Sequence, residues 1–384
     1  MTFASFRRTT SGGGYIPSVD GLRFFAILSV FLFHLAAQMQ LKAAMSPEIT
    51  AGTNPLARLV SHGAWGVQLF FVISGFILGV PFARQYILRQ GTVSVKRFYL
   101  RRLTRLEPPY ILIMLVLFAV EVKFFHQPFR QLLPHLVASL FYVHNLVYHQ
   151  LSTVNVVAWS LEIEVQFYVL VPLLSQALRI TNSTLRRSML LLVAAAFTIL
   201  AFEGGGDRNP MVRLTLLGQG QYFFLGFLAA DLYVDPKRVA MHPRLWDIVA
   251  LAVSGLIVAV VQTGYAPFVL PLCFFLLLLA ALFGQLYRTF LSLPFLSIVG
   301  GMCYTIYLLH FNVISAIGRV SMRHHIGTGF VANFAFQTLA VGIPVLVIAA
   351  IYFYFIEKPC MDPAWPQKLA TLFRKTIHRA PRQL

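Results

Sequence analysis

The chain has 384 residues, 58% of them hydrophobic and only 11% charged, with a net charge of +18 and a mean hydropathy of +0.73. A soluble domain carries about 25% charged residues, so this composition excludes an ordinary soluble protein and points to a membrane. The positive charge does not indicate a nucleic-acid partner, because the basic residues sit at the ends of apolar runs, where membrane topology accounts for them.

A membrane span needs about 20 mostly apolar residues. In chain order, ten spans are expected at roughly 21–40, 63–82, 108–125, 155–178, 188–203, 212–233, 246–263, 266–286, 294–317 and 330–356. The expected fold is therefore all-α, a polytopic membrane helix bundle. A further apolar segment, 131–148, is broken by Pro134, His135, His144 and Asn145. It reads as a re-entrant or interfacial piece rather than an eleventh crossing. Charge favours that choice. With the N-terminus in the cytoplasm and 131–148 not crossing, 23 of the 31 Lys and Arg residues face inward. If it crossed, the basic tail of Lys368, Arg374, Lys375, Arg379 and Arg382 would lie outside, against the positive-inside rule.

The expected layout is a cytoplasmic N-terminal tail (1–20), a transmembrane domain (21–358) and a basic cytoplasmic C-terminal tail (359–384) suited to lie on the membrane surface as an amphipathic helix. Cys273, Cys303 and Cys360 are far apart, which gives neither a disulfide framework nor a metal site. No cleavable signal peptide is visible.

Ionisable side chains inside a span are costly unless paired or wetted, so they are functional candidates by default. Asp20-Gly-Leu-Arg23 opens the first span, and His34 follows within it. Asp20 is expected to cap the helix. Arg23 and His34 are eleven positions apart and share a face, with a rise of about 16 Å between them. An Arg at the inner surface can hold a phosphate, and a His near mid-membrane can act as a general base. The structural alternative is that Arg23 snorkels and His34 bonds a neighbouring helix.

The basic stretch Lys96–Arg105 precedes Pro108-Pro109. It is either a cytoplasmic loop explained by topology or a phosphate-binding surface, and a helix would present Arg102 and Arg105 together. Trp159-Ser-Leu-Glu162-Ile-Glu164-Val-Gln-Phe-Tyr168 places two carboxylates at the outer start of a span. Glu162 is expected among the headgroups. Glu164 lies deeper and neighbours Tyr168 at i, i+4. Tyr304, Tyr307 and His310 fall near one face, as interface anchors or as site residues. The small residues of Gly66-Val-Gln-Leu-Phe-Phe-Val-Ile-Ser74-Gly75-Phe76 suit close helix packing.

In this order the motifs resemble those of the acyltransferase-3 family of integral membrane O-acyltransferases. Arg23, ten residues, then His34 is similar to its first-helix signature. Gly66–Phe76 resembles its second-helix motif, and Phe98–Tyr110 the basic stretch before its third helix. Trp159–Tyr168 and Tyr304–His310 resemble two later motifs. The resemblance covers about residues 15–360. One departure is Phe24, where the family often has Gly, which changes packing more than chemistry. Some members carry a fused extracytoplasmic esterase-like domain, and this chain resembles the stand-alone type.

The resemblance implies an O-acetyltransferase that takes an acyl group from cytosolic acyl-CoA, commonly acetyl-CoA, without a metal. The acceptor it implies is a hydroxyl of a cell-surface glycan, a lipid-linked sugar or a small molecule such as a macrolide. It also implies a bacterial host, and with the charge distribution above the expected place is the inner membrane, with both termini cytoplasmic and lipids as neighbours. Arg23, Arg102 and Arg105 would bind the donor. His34 would be the base, with Glu164 orienting it or binding sugar, and Trp159, Tyr168, Tyr307 and His310 would contact substrate. The residues alone also suit a proton-coupled transporter with His34 and Glu164 as relay, although no two halves of the chain resemble one another.

Overall fold

The computed structural model describes residues 6–8, 14–42, 54–235, 241–326, 329–362 and 364–368. The principal helices in chain order are α1 (Pro17–Lys42), α2 (Pro55–Ser61), α3 (Gly66–Tyr86), α4 (Val95–Phe124), α5 (Phe129–Leu140), α6 (His144–Tyr148), α7 (Trp159–Leu174), α8 (Ser183–Glu203), α9 (Leu216–Val234), α10 (Pro243–Val260), α11 (Ala266–Phe283), α12 (Leu286–Leu291), α13 (Pro294–Gly301), α14 (Cys303–Ser321) and α15 (Phe330–Tyr352). Among the described residues there is no strand, so the fold is the expected all-α bundle.

Among the described residues, eight helical stretches are long and apolar enough to cross a membrane by themselves. The other two expected spans differ in instructive ways. One is the pair α13 and α14, bent by 72° at its break. The other is α9, which has 19 residues but carries Gln219, Gln221 and Asp231, all buried. Its neighbours sheathe it, so its polar groups do not meet lipid. The stretches Pro55–Tyr86 and Ala266–Phe283 bury 61% and 67% of their most apolar windows, against 17% for α8 and for α10. The peripheral pair turn leucines outward instead, with Leu192 70% and Leu251 78% exposed. That is the surface of a multi-pass membrane protein.

Close packing at the centre depends on glycine. A Cβ on Gly75 would lie 2.2 Å from the Phe223 carbonyl oxygen, and one on Gly226 2.1 Å from that of Val72. α3 and α9 therefore touch through their backbones. Phe223 stacks on Phe167 at 4.3 Å and on Phe71 at 4.8 Å. At the end of α9, Asp231 and Asp235 are paired with Arg186 and Arg187 of α8, the Arg187–Asp231 contact being 2.8 Å.

Several local expectations are corrected. α1 begins at Pro17, so Asp20 lies in its first turn rather than at its cap. Its carboxylate accepts instead from Arg8 at 2.6 Å and from Arg23 at 3.0 Å. The basic stretch before Pro108 is helical from Val95, with Ser94 accepting from the Arg97 N–H. Pro108 has no N–H to offer the Thr104 carbonyl, and the Trp365 indole N–H donates to that oxygen at 2.8 Å. The helix therefore runs on through both prolines.

Glu162 is not among headgroups. It is fully buried, and it accepts from the Asn145 backbone N–H at 2.7 Å. The contact docks the 131–148 region, which forms α5 and α6, of 12 and 5 residues. At about 18 Å for the longer, neither matches a hydrocarbon core of about 30 Å. Trp365 holds the start of the expected C-terminal tail against α4, and the basic residues from Arg374 onward lie outside the described residues.

Candidate functional site

The site is built on α1, α3, α4, α7 and α14, with the π-helical turn Phe353–Glu357 that follows α15. At one end it gathers arginines. Arg23 projects from the second turn of α1, which Asp20 and the α13 contact hold in place. Arg8 joins it on the other oxygen of Asp20. Arg102 lies over the rings of Phe98 and Tyr168, at 4.3 and 5.1 Å. Arg105, one turn further along α4, is within electrostatic reach of Arg102 and Arg8. Glu164 accepts from the Ser74 hydroxyl, contacts the Tyr168 phenol, and lies within reach of both Arg23 and Arg102. Four guanidinium groups thus share one region with Asp20, Glu164 and Glu357. The balance is a net positive charge, suited to an anionic ligand.

Further along α1 and α14 the lining becomes aromatic and hydroxylic. The Tyr307 and Ser160 hydroxyls are 2.7 Å apart, and Phe70 packs on the Tyr307 ring. Trp159 packs edge-on against Phe71 at 6.4 Å. Beyond Tyr307 the rings of His310 and His34 stand 5.2 Å apart, with Phe33 and Phe311 flanking His34. His310 Nδ1 lies 2.8 Å from the Tyr307 carbonyl oxygen and 3.1 Å from that of Ile306. Two acceptors at that nitrogen place the hydrogen on Nδ1 and leave a lone pair on Nε2. Nε2 is buried without a partner among the described residues. The half-buried His34 ring likewise has no hydrogen-bond partner among them.

The residues singled out in the sequence fall into two groups on one file. Arg23, Arg102, Arg105, Glu164 and Tyr168 lie at the arginine end, and Tyr307, His310 and His34 at the other. The α1 face that carries Arg23 and His34 looks onto α14, whose Cys303 and His310 lie near them in turn. Glu164 has its contacts with Ser74 and Tyr168 and stands with the arginines rather than with His34. Sequence reasoning did not single out Arg8, Ser74, Ser160, Thr305 or Glu357. An acid at the end of the last span was visible at Glu357, but nothing local pointed to its partner Thr305.

A family profile described as an acyltransferase domain, acyltransferase-3, matches residues 16–354. O-acetyltransferase OatA of Staphylococcus aureus (strain NCTC 8325 / PS 47) is 26% identical over 373 residues, covering 90% of this chain and 57% of that protein. The "Putative O-acetyltransferase SACOL0978" of Staphylococcus aureus (strain COL) is 24% identical over 331 residues, with coverages of 79% and 51%. The chain thus spans little more than half the length of these relatives. No solved structure matches. The matched residues take in the whole file from Arg23 to His310, and with the ordered motifs and the helical bundle they establish that the chain belongs to the acyltransferase-3 family.

Proposed function

We propose that the chain is a membrane O-acyltransferase. It moves an acyl group, in the first instance acetyl, from cytosolic acyl-CoA to a hydroxyl of a cell-surface glycan or lipid-linked sugar. The observation that carries this reading is one file of side chains with an arginine cluster at one end and the His34–His310 pair about 16 Å along α1 from Arg23. Arg23, Arg102 and Arg105 hold the donor at the cytoplasmic face of the inner membrane, and Arg23 and Arg102 take its phosphates. The thioester arm extends along the α1–α14 face.

The acceptor oxygen attacks the thioester carbonyl carbon while His34 takes the hydroxyl proton. The carbon–sulfur bond then breaks, CoA leaves as thiolate, and the imidazolium returns the proton to sulfur. The transient negative oxygen needs a donor. Neutral His310 presents a lone pair at Nε2 and cannot supply one, so that role falls to the Tyr307 hydroxyl. His310 stands ready to accept a proton beside His34. Trp159 and Tyr168 contribute aromatic walls for the substrates.

The test uses the purified protein, labelled acetyl-CoA and a panel of glycans. His34→Ala is expected to lower kcat about 100-fold or more, and Arg23→Ala to raise the KM for acetyl-CoA with smaller loss at saturation. Folded protein that neither consumes acetyl-CoA nor binds CoA, yet carries proton-driven flux in liposomes, would replace this reading with the transporter.

A further inference from the structure

Two buried polar atoms near the arginine cluster have no partner among the described residues. One is Oε1 of Glu357. The carboxylate is 1% exposed, and its other oxygen is held by the Thr305 hydroxyl. The second is Nε of Arg105. The two side chains lie within electrostatic reach of one another, yet no ion pair joins them among the described residues. Opposite charges that stay apart, each with a bare atom, are costly to leave dry. Glu357 also sits on a π-helical turn, an irregularity that proteins keep mainly at functional sites.

The helix that carries Arg105 packs against the turn that carries Glu357, and an unpartnered donor near an unpartnered acceptor fits a ligand group that offers both. A phosphate offers only acceptors, and Glu357 would repel it. A trans secondary amide points its C=O and N–H in opposite directions and answers both atoms at once. The geometry points to Arg105 and Glu357 as a subsite for an amide of the donor's pantetheine arm, Arg105 Nε–H donating to its carbonyl and Glu357 Oε1 accepting from its N–H. Position agrees. Thr305, which holds Glu357, is five residues before His310, about 7.5 Å along α14. The amide nearest the thioester is separated from the reacting carbonyl by sulfur and two methylenes, a span of the same order. This inference rests on the acyltransferase reading and deepens it, because it assigns two residues to the pantetheine arm of the donor.

The pantetheine arm occurs on CoA and on acyl carrier protein, so the test compares acetyl-CoA, acetyl-loaded acyl carrier protein, S-acetyl-N-acetylcysteamine and S-pentyl thioacetate. The third keeps the amide without phosphates, and the fourth replaces the amide by methylenes. The wild-type protein is expected to favour S-acetyl-N-acetylcysteamine over S-pentyl thioacetate by about tenfold or more in kcat/KM. That ratio should fall towards one in Arg105→Lys and in Glu357→Gln, while the preference for acetyl-CoA over S-acetyl-N-acetylcysteamine remains. The relative rates of acetyl-CoA and the loaded carrier protein assign the source of the arm. A wild type indifferent to the amide overturns the subsite. So do variants that lower all donors by one factor, which is the signature of charge balance alone. A folded wild type that turns over no thioester overturns the acyltransferase reading itself, and the subsite with it.

Discussion

A methyl group on Gly300 would sit 1.8 Å from the carbonyl oxygen of Asp20, well inside van der Waals contact. α1 and α13 therefore meet through bare backbone, and that contact sets the height and rotation of Arg23 three residues later. Gly300→Ala should force the helices apart, at about 1–3 kcal/mol, and raise the KM for acetyl-CoA more than it lowers kcat. Thermal unfolding in detergent and steady-state kinetics check both halves, and an unchanged melting temperature with unchanged KM would count against the argument. At this scale the sequence was legible where helical period alone decides. Arg23 and His34 share a face for any helix that spans them. Asp20 and Glu162 were misplaced because their partners, Arg8 and the Asn145 backbone, come from other segments. Glu357 went unremarked because the Thr305 hydroxyl that holds it is 52 positions away in the chain.

Among elements, the short helices α5 and α6 meet at an aromatic cluster around His144. His135 Nδ1 and His144 Nε2 are 2.9 Å apart, and Tyr148 packs on both rings. Burial, and then the neighbouring His135, pushes His144 down from 6.5 to about 4. Between those values the undocked ring binds more protons than the docked one. Docking is therefore complete above the free value and weakens as pH falls from it towards about 4. Amide exchange over 129–148, corrected for its intrinsic pH dependence, should be slow at about pH 7.5 and faster at about pH 5. His144→Gln should remove the difference, and a pH-independent exchange rate in the wild-type protein would contradict the assignment. Most spans were readable because lipid imposes a length and an apolar face on each. The break between α13 and α14 was not, since Gly300 and Gly301 suit tight packing and a bend equally well in sequence.

For the whole molecule, the eight apolar stretches among the described residues, with the bent pair and α9 each taken as one crossing, would make an even number. An even number predicts both chain ends on one side, and the distribution of Lys and Arg predicts that this side is the cytoplasm. Reporter fusions at both termini should give a cytoplasmic signal. A cysteine placed at Thr263, in the turn between α10 and α11, should react with a membrane-impermeant maleimide from outside once Cys273, Cys303 and Cys360 are replaced. Labelling of that position only after lysis would invert the topology and move the arginine cluster away from cytosolic CoA.

The sheathing of α9 also bears on how the chain is made. During synthesis each hydrophobic segment leaves the insertion channel for lipid according to its own composition. Gln219, Gln221 and Asp231 make α9 reluctant to leave alone. By the time it emerges, α3 is already in the bilayer, with the Gly75 groove that will meet Phe223 still vacant. α8 has also been laid down, offering Arg186 and Arg187 to Asp231. The order of translation thus supplies a polar helix with its binding site before the helix appears.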